Sequence, residues 1–305
     1  MKLLAIFSIT ILLFTNCSRN IIQRQVLRDV QELSSDKYKG RKVGTAGNAL
    51  AADYIINRFK EIGLQAFEGS FNHSFSFSER SGAPIVGSNL IAYIPGKKQD
   101  AIVISAHYDH LGVIEGEIYN GADDNASGVG GLLSIAEYFS KNPPEHTLVF
   151  AAFDAEESGL QGAKAFVANP PLQFECIKLN VNMDMISRSE KNELYAVGTF
   201  HYPLLKAHVT TTNPDIKILF GHDEPVTGKD DWTNLSDQAA FHAKKIPFLY
   251  FGVEDHADYH KPTDDFKNID KEFYQNAVGA ILEVVKNIDR SVTVQKIFRD
   301  KLIMK

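Results

Sequence analysis

Residues 101–110 read AIVISAHYDH, an uncharged and mostly apolar run that ends in two histidines and an aspartate. Three later stretches have the same form, a largely apolar run followed at once by acidic residues or histidines. These runs are TLVFAAF at 147–153, IKLNVNM at 177–183 and IPFLYFG at 246–252. Short runs of this kind, alternating with helical patterns, predict the strands of an α/β sheet.

Helical spacing of apolar residues occurs before, between and after these strands. The first example is residues 21–33, where every third or fourth residue is apolar. Further helices are predicted at 47–62 (with Gly63 as its stop), about 126–140, 160–168 and 271–288. Residues 70–95 alternate in the manner of short strands.

The composition excludes several classes of protein. The chain has 305 residues, of which 44% are hydrophobic and 23% are charged, and its formal net charge is −6. Disorder requires low hydrophobicity with high net charge, and collagen or coiled-coil rods require repeats that this sequence lacks. The 32 lysines and arginines form no basic cluster, so nucleic acid is not expected as a partner. The length allows one large α/β domain or two modest ones.

The first seventeen residues, MKLLAIFSITILLFTNC, predict an exported protein. The apolar run from Leu3 to Phe14 is too short for a membrane span, which needs about 20 residues, but it suits the apolar core of a signal peptide. Cys17 stands where a bacterial lipobox has its lipidated cysteine, although Phe14 and Asn16 depart from that pattern. We expect residues 1–16 to be a signal peptide. We expect Cys17 to anchor the mature chain in the cell envelope, on the periplasmic or outer-membrane face, with ordinary secretion as the alternative.

Acidic residues and histidines follow each of the four strands, and an acidic pair opens the helix after the first. They are His107, Asp109 and His110; Asp123 and Asp124; Asp154, Glu156 and Glu157; Asp184; and Glu254, Asp255, His256, Asp258 and His260. In open α/β sheets such residues gather at the carboxyl ends of the strands. Crowded carboxylates repel one another unless a cation neutralises them, and mixed histidine and carboxylate ligands suit zinc and related divalent ions. The sequence therefore predicts a metal site at this edge of the sheet.

Motifs of other enzyme classes are absent. The sequence contains no HExxH, no GxSxG and no CxxC, and Cys176 is the one cysteine besides Cys17. The glycine-rich stretch 40–47 follows no strand and lacks the Lys-Ser/Thr ending of a phosphate loop. The glycines of 128–131 lie inside a helical pattern and favour close helix packing over dinucleotide binding.

Five stretches of the sequence form one set, which is defined by their order and their separations along the chain. They are SAHYDHLG at 105–112, GADDNASGVGGLL at 121–133, AAFDAEESGLQGA at 151–163, NMDMIS at 182–187 and DYHKPTDD at 258–265. Together they resemble the secreted bacterial di-zinc aminopeptidases, a family of co-catalytic zinc exopeptidases on a fold related to glutaminyl cyclase. GRKVGTAG and SNLIAYIPGK, upstream, are similar to the N-terminal half of that family.

The resemblance implies a fold and a domain organisation. The fold is a three-layer α/β/α sandwich around a mixed, mostly parallel twisted sheet. A single zinc peptidase domain is expected over residues 21–290, followed by a charged tail at 291–305.

The resemblance also implies two zinc ions per chain and assigns their ligands by position. His107 and Asp184 bind one ion, Glu157 and His260 bind the other, and Asp124 bridges them. A carboxylate suits the bridging role because its two oxygens can span two metals about 3.5–4 Å apart.

Three further residues receive roles from the same resemblance. Glu156 matches the general base, and Asp109 matches the acid that orients the imidazole of His107. Tyr259 precedes the ligand histidine, as does a tyrosine that polarises the substrate carbonyl in some relatives. Simple packing beside the site is an equal alternative for Tyr259.

Several neighbours compete for these roles. His110 is an alternative to His107, but it comes three residues later, off the strand end. His256 and His260 have the i, i+4 spacing of a helical metal pair, yet the surrounding Pro and Asp residues favour a loop, and the Tyr-His-x-Pro-Thr-Asp context selects His260. Asp123, next to the bridge, is expected to cap the following helix.

The expected function is that of an exported zinc exopeptidase acting on peptides, and most readily an aminopeptidase. The second hypothesis is a glutaminyl-cyclase-like acyltransferase, a branch that retains one functional zinc, whereas the complete ligand set here favours two. The third is a non-catalytic binding lipoprotein, which would normally have lost a ligand or Glu156. Side-chain specificity, a dipeptide-releasing or carboxypeptidase variant, substitution of zinc by cobalt or manganese, and oligomeric state stay open at this level.

Overall fold

The computed structural model describes residues 24–78 and 82–291 of the chain. The predicted signal peptide, Cys17 and the predicted tail beyond residue 291 lie outside the described residues.

In the described part of the chain, ten strands form two sheets. The strands are β1 Asn72–Phe77, β2 Ile85–Ile94, β3 Lys98–His107, β4 Gly112–Ile114, β5 Glu117–Tyr119, β6 His146–Phe153, β7 Ile177–Met183, β8 Glu193–Val197, β9 Lys217–Leu219 and β10 Phe248–Gly252. Eight of them lie side by side in the order β1-β2-β6-β3-β7-β10-β8-β9, and β4 with β5 forms a separate hairpin.

The helices other than Gln238–Ala243, which was not predicted, agree with the predicted segments to within a few residues. They are α1 over residues 24–33, α2 Ala46–Ile62, α3 Gly128–Lys141, α4 Gln161–Ala168, α5 Gln238–Ala243 and α6 Lys271–Arg290. The N-cap Thr45 accepts a hydrogen bond from the backbone of Asn48, and Gly63 ends α2 in the left-handed conformation with φ 83°. The predicted stop at Gly63 is confirmed.

The four apolar runs of the sequence form the centre of the large sheet. They become β3, β6, β7 and β10, which are neighbours in the order β6-β3-β7-β10 and are all parallel. Antiparallel pairs join β2 to β6 and β8 to β10, which makes the sheet mixed. The predicted fold class is confirmed, and the carboxyl ends of the four central strands open at one edge.

Helices cover both faces of the sheet and bury the central strands between them. Along β3, Ile102 and Ile104 pack into the larger core with α1, α2, α3 and α6, whereas Val103 packs into a second core with Phe166 of α4 and Phe241 of α5. Burial on both faces explains why these strands read as nearly continuous apolar runs.

The glycines at the start of α3 permit close packing, as predicted. A Cβ at Gly130 would lie 2.5 Å from the hydroxyl oxygen of Tyr274, and one at Gly131 would lie 3.1 Å from Sδ of Met183. The hydroxyl of Tyr274 donates to the main-chain oxygen of Ser127 at 2.8 Å. Helix α6 is thereby held directly against the segment that leads into α3.

None of the helices within 24–78 and 82–291 combines the length and the apolar character that crossing a membrane requires.

Candidate metal centre

The register of the sheet brings two of the predicted zinc ligands together. In the parallel pair β3–β7, Ser105 is paired with Asn182, so His107 and Asp184 each lie two residues beyond that pair. Nε2 of His107 is 3.2 Å from Oδ1 of Asp184. Backbone pairing alone therefore places this contact.

Glu156 joins this pair from the turn after β6. The ligand atoms of His107, Glu156 and Asp184 lie within 4.8 Å of one another, and we call these three residues the strand half of the centre. Burial raises the pKa of Glu156 well above its usual range. Burial acts on Asp184 in the same direction, but the combined effects of His107, Ser236 and His260 outweigh it and lower the pKa of that carboxyl.

His110, Glu157 and His260 form a second group, which we call the loop half because turns carry all three. Nδ1 of His110 is 2.7 Å from Oε1 of Glu157, and Nε2 of His260 is 3.6 Å from Oε2 of Glu157. Burial raises the pKa of Glu157 to about 7 and lowers the pKa of His110 to about 4. His260 is more open, with 40% of its side chain exposed.

Asp124 lies between the two halves and faces both. Its Oδ1 is 3.4 Å from Nε2 of His107, and its Oδ2 is 3.1 Å from Nε2 of His260 and 3.7 Å from Nδ1 of His110. Each carboxylate oxygen is thus directed at a different set of donors. This is the disposition that a carboxylate shared by two cations requires.

His110 occupies a place that the sequence does not indicate. The sequence offers it as an alternative to His107, yet it lies with Glu157, on the other side of Asp124. Its imidazole is fully buried, and in the described structure neither ring nitrogen has the geometry of a hydrogen bond. His110 therefore adds an imidazole on the side of Asp124 where His260 lies, and it does not take the place of His107.

Asp123 and His256 are held together, away from the ligand atoms. Nε2 of His256 is 3.0 Å from Oδ2 of Asp123, and Oδ1 of Asp123 accepts hydrogen bonds from the backbone and hydroxyl of Ser187, both at 2.7 Å. The expectation that Asp123 caps the following helix is wrong. Instead, Oδ1 of Asn125 accepts from the N–H of Gly128, the first residue of α3.

Asp109 supports both halves through the turn after β6. Its carboxylate accepts the backbone N–H of Glu156 at 3.0 Å and that of Glu157 at 3.3 Å. Nδ1 of His107 is 3.2 Å from the main-chain oxygen of Asp109 and 3.7 Å from its carboxylate. Asp109 thus fixes the backbone of both glutamates besides touching the imidazole that it is expected to orient.

Asp264 is a supporting residue that the sequence analysis did not single out. Its carboxylate accepts the backbone N–H groups of Asp123 and Asp124 at 3.0–3.1 Å. Burial raises its pKa to about 7. Asp264 lies within the quoted stretch DYHKPTDD, so the sequence marks its segment. Nothing in the sequence shows that its carboxylate contacts Asp124, 140 residues earlier in the chain.

Arg41 is a second supporting residue that was not singled out, although it belongs to the quoted GRKVGTAG. It is fully buried, and its guanidinium donates to the main-chain oxygens of Leu33, Tyr108, Asn120 and Gly121 at 2.6–2.9 Å. Burial lowers its pKa to about 10. Arg41 ties the end of β3 to the segment that leads to Asp124.

Three residues of the centre's turns have left-handed backbone conformations. Ala155 has φ 57°, Met185 has φ 58° and His260 has φ 53°. Such values are uncommon for residues other than glycine and cluster where side chains are held for function. They turn the chain sharply beside Glu156 and Asp184 and at His260 itself.

A cleft with a volume of about 400 Å³ opens over the centre. Its lining includes Asp124, two residues of the strand half (Glu156 and Asp184) and two of the loop half (Glu157 and His260). Met185, Leu235 and Tyr259 also line it. The ring of Tyr259 stacks on the imidazole of His260 with 3.9 Å between centroids. Tyr259 therefore both lines the cleft and packs against a proposed ligand.

The donor set fits a pair of divalent cations. Four carboxylates and three histidines converge, and burial raises the pKa values of Asp124, Glu156 and Glu157, as expected where negative charge lacks a counter-charge. His110 and Glu157 present buried donor atoms that make no aligned hydrogen bond in the described structure. Histidine nitrogen and carboxylate oxygen are ligands that zinc prefers.

A sequence model of peptidase family M28 matches residues 89–285 of the chain. The aminopeptidase YwaD of Bacillus subtilis (strain 168) is 26% identical over 247 residues, which cover 74% of this chain and 50% of that protein. The chain spans about half the length, or less, of the curated relatives that it matches.

Two solved structures show the same fold. BSAP, a zinc aminopeptidase from Bacillus subtilis, superposes with a TM-score of 0.66 at 17% identity, covering 89% of this chain and 97% of that one. The glutaminyl cyclase of Porphyromonas gingivalis superposes with a TM-score of 0.70 at 17% identity, covering 86% and 97%. Hydrolases and a cyclase therefore share this architecture, and the fold alone does not choose between them.

Proposed function

Because the chain belongs to peptidase family M28, we propose that it is a zinc-dependent exopeptidase that removes N-terminal residues from peptides. The observation that carries the proposal is Asp124, whose two oxygens face two different donor sets. In this proposal His107 and Asp184 hold one ion, Glu157 and His260 hold the other, and Asp124 is shared.

Two zinc ions in this donor set, when bound, supply Lewis acidity at the scissile carbonyl and bring the pKa of the attacking water toward neutrality. The residues of the chain supply the remaining steps, which are proton transfer, orientation of the ligands and positioning of the peptide.

Glu156 is the proposed general base. It is the carboxylate of the strand half to which no metal is assigned, and burial raises its pKa, which makes it a stronger proton acceptor than a free carboxylate. A carboxylate oxygen of Glu156 accepts the proton of the attacking water and then delivers it to the nitrogen of the leaving amine. The N–H···O bond from its own backbone to Asp109 keeps the turn in place during both transfers.

His110 is a proposed positioning residue for the loop half. Its Nδ1 lies 2.7 Å from Oε1 of Glu157, and burial lowers the pKa of His110 to about 4, so a neutral imidazole holds the carboxylate by close contact on that side. The burial of His110 excludes water from that side of Glu157. Tyr259, which lines the cleft, is proposed to stabilise the negative charge that develops on the carbonyl oxygen.

A substrate screen with metal analysis tests the proposal. Zinc-loaded protein is assayed with chromogenic aminoacyl anilides, with N-acetylated anilides and with a peptide that begins with glutamine, while bound zinc is counted by mass spectrometry. We expect two zinc ions per chain, hydrolysis of free aminoacyl anilides and none of the acetylated ones. One zinc per chain together with cyclisation of the N-terminal glutamine would overturn the proposal in favour of a cyclase.

We also propose export and lipid anchoring through Cys17, which lies outside the described residues. The support is the apolar run that ends just before that cysteine. Two or more acyl chains give stable membrane anchoring, whereas a single chain is marginal. Cys17→Ser should release the protein from membranes or block its maturation, as judged by fractionation and the mass of the mature chain. Unchanged partitioning would contradict the anchor.

A further inference from the structure

The lining of the cleft is strongly unequal in charge. Four carboxylates, those of Asp124, Glu156, Glu157 and Asp184, lie on its metal-binding side. Among the residues that line it, Lys164 of α4 is the single lysine or arginine. The cleft thus combines one cation with a group of carboxylates, so a bound peptide meets charges of both signs.

The ammonium of Lys164 is fixed next to the catalytic turn. Its Nζ donates to the main-chain oxygen of Gly159 at 2.8 Å. The backbone N–H groups of Gly159 and Leu160 both donate to the main-chain oxygen of Glu156 at 2.8 Å. The charge of Lys164 is thus held on the same short turn that carries both glutamates of the centre.

The hydrogen-bond partner of Lys164 is a neutral main-chain oxygen, whereas Lys97 and Lys141 have acidic partners. Lys97 pairs with Glu145 at 2.6 Å and Lys141 pairs with Glu137 at 2.8 Å. Within the described residues, no carboxylate oxygen lies within 4.0 Å of Nζ of Lys164, and its side chain is exposed. A lysine ammonium has three N–H donors, so the bond to Gly159 leaves two for a ligand.

If two metal ions bind as proposed above, the net charge of the cleft determines which ligand the two remaining N–H groups of Lys164 attract. Two divalent cations would neutralise the four carboxylates that line the cleft, which leaves the ammonium of Lys164 as the uncompensated charge. Coulomb attraction in a partly enclosed cleft is stronger than in bulk water. The ligand group that satisfies this ammonium is an anion.

We propose that Lys164 binds a carboxylate of the substrate, and that the preferred substrates are short peptides. This inference rests on the proposed function. A cleft of about 400 Å³ is at the small end of the usual range for ligand pockets, which suits a peptide of two or three residues. In such a peptide the free C-terminal carboxylate lies close to the scissile bond. An acidic side chain of the substrate offers the same chemistry.

Four substrates distinguish these sources of the carboxylate. They are Leu-Ala, Leu-Ala-amide, leucine p-nitroanilide and glutamate p-nitroanilide, each assayed with the zinc-loaded protein. The variants are Lys164→Gln and Lys164→Arg. The control is Lys141→Gln, which makes the same charge change at the C-terminal end of α3, away from the carboxyl edge of the sheet.

For Lys164→Gln we expect kcat/KM on Leu-Ala to fall about tenfold, mainly through a higher KM, since one charge-assisted contact is lost from both ground and transition states. The values for Leu-Ala-amide and leucine p-nitroanilide should stay unchanged, and Lys164→Arg should keep most of the activity on Leu-Ala. A loss confined to glutamate p-nitroanilide would assign the contact to an acidic side chain.

An equal loss of kcat/KM on all four substrates would overturn the role of Lys164. So would unchanged kcat/KM on both substrates that carry a carboxylate, Leu-Ala and glutamate p-nitroanilide. Failure of the proposed function would look different, because the unaltered protein would then hydrolyse none of the four substrates.

Discussion

The strand half and the loop half of the centre present similar side chains by different means. In the strand half, His107 and Asp184 follow directly from the pairing of β3 with β7, and their side chains are 1% and 12% exposed. In the loop half, His110, Glu157 and His260 sit on turns, and the side chain of His260 is 40% exposed. Sheet register fixes one half, whereas contacts between distant loops fix the other.

This difference between the halves predicts that they bind their metal ions with unequal affinity. Donors on paired strands are preorganised before a metal arrives, so little conformational entropy is lost on binding. Donors on loops depend on supports such as Asp109, whose carboxylate accepts the backbone N–H of Glu157, and water reaches His260 directly. We therefore expect the strand half to retain its ion longer than the loop half when zinc is withdrawn.

The largest expected effect separates two chemically identical neighbours, one in each half. Glu156→Gln should lower kcat by about 10²–10⁴-fold, the usual contribution of a general base, while two zinc ions stay bound. Glu157→Gln should instead lose one ion and recover part of its activity with added zinc. Activity and zinc content are measured on the same preparations, and unfolding midpoints serve as the control for folding. Metal loss in Glu156→Gln with full occupancy in Glu157→Gln would show that the two roles are exchanged.

The second prediction concerns the residue that joins the halves. Asp124→Asn should weaken binding of both ions by more than about 100-fold, because loss of even an outer-shell partner costs about 10–100-fold in metal affinity. His107→Ala should deplete mainly one site. Zinc titration by calorimetry distinguishes the two cases. Two undisturbed ions in Asp124→Asn would refute the bridge and direct attention to Asp123.

The third prediction compares His260, a proposed ligand in the loop half, with the neighbouring His256. His260→Ala should release one ion at about 10–100-fold lower chelator concentration than the unaltered protein, since an open ligand is removed from the weaker site. His256→Ala is the matched control and should keep two ions, because its imidazole contacts Asp123 and none of the proposed ligands. Stepwise chelation followed by zinc analysis provides the measurement. If His256→Ala were the variant that lost an ion, the choice of His260 would be wrong.

The last prediction concerns pH and a buried acid close to the strand half. Both carboxylate oxygens of Asp237 lack a hydrogen-bond partner in the described structure, and burial raises its pKa to about 8, assisted by Asp109 and Asp184 and opposed by His107. After removal of metal, the folded chain keeps this proton between about pH 4 and pH 8, whereas the unfolded chain has lost it. The free energy of unfolding should therefore fall as pH rises through this window.

The variant Asp237→Asn isolates that contribution. It should reduce the pH dependence of the unfolding free energy by about 1.4 kcal/mol per pH unit, measured by urea unfolding of chelator-treated protein. Parallel curves for the variant and the unaltered protein would show that Asp237 does not titrate in this range.

Most of the fold was predictable because the strongest signals in the sequence are local. Four apolar runs between helical patterns predict parallel strands buried on both faces, and these runs became β3, β6, β7 and β10. The short strands β8 and β9, at one side of the sheet, and the helix α5 were not predicted individually. Their segments are short and only partly apolar, so pairing and packing with neighbours decide their conformation.

The sequence by itself determined which residues reach the metal-binding edge. An acidic residue or histidine that follows a parallel strand must emerge at the strand's carboxyl end, whatever the rest of the molecule does. That rule brought His107, Glu156, Glu157 and Asp184 together and placed His260 nearby.

Only the tertiary structure decided which of several identical neighbours faces the centre, and on which side of Asp124 each one lies. The capping role expected of Asp123 was wrong because Ser187 and His256 hold its carboxylate, and His110 lies with Glu157 because of how the chain turns after β3. The physical reason is that a side chain in a turn takes its direction from local φ and ψ and from hydrogen-bond partners far along the chain. One example is the hydrogen bond that the backbone N–H of Asp124 donates to Asp264, 140 residues further along the chain. No local pattern of residues encodes that bond.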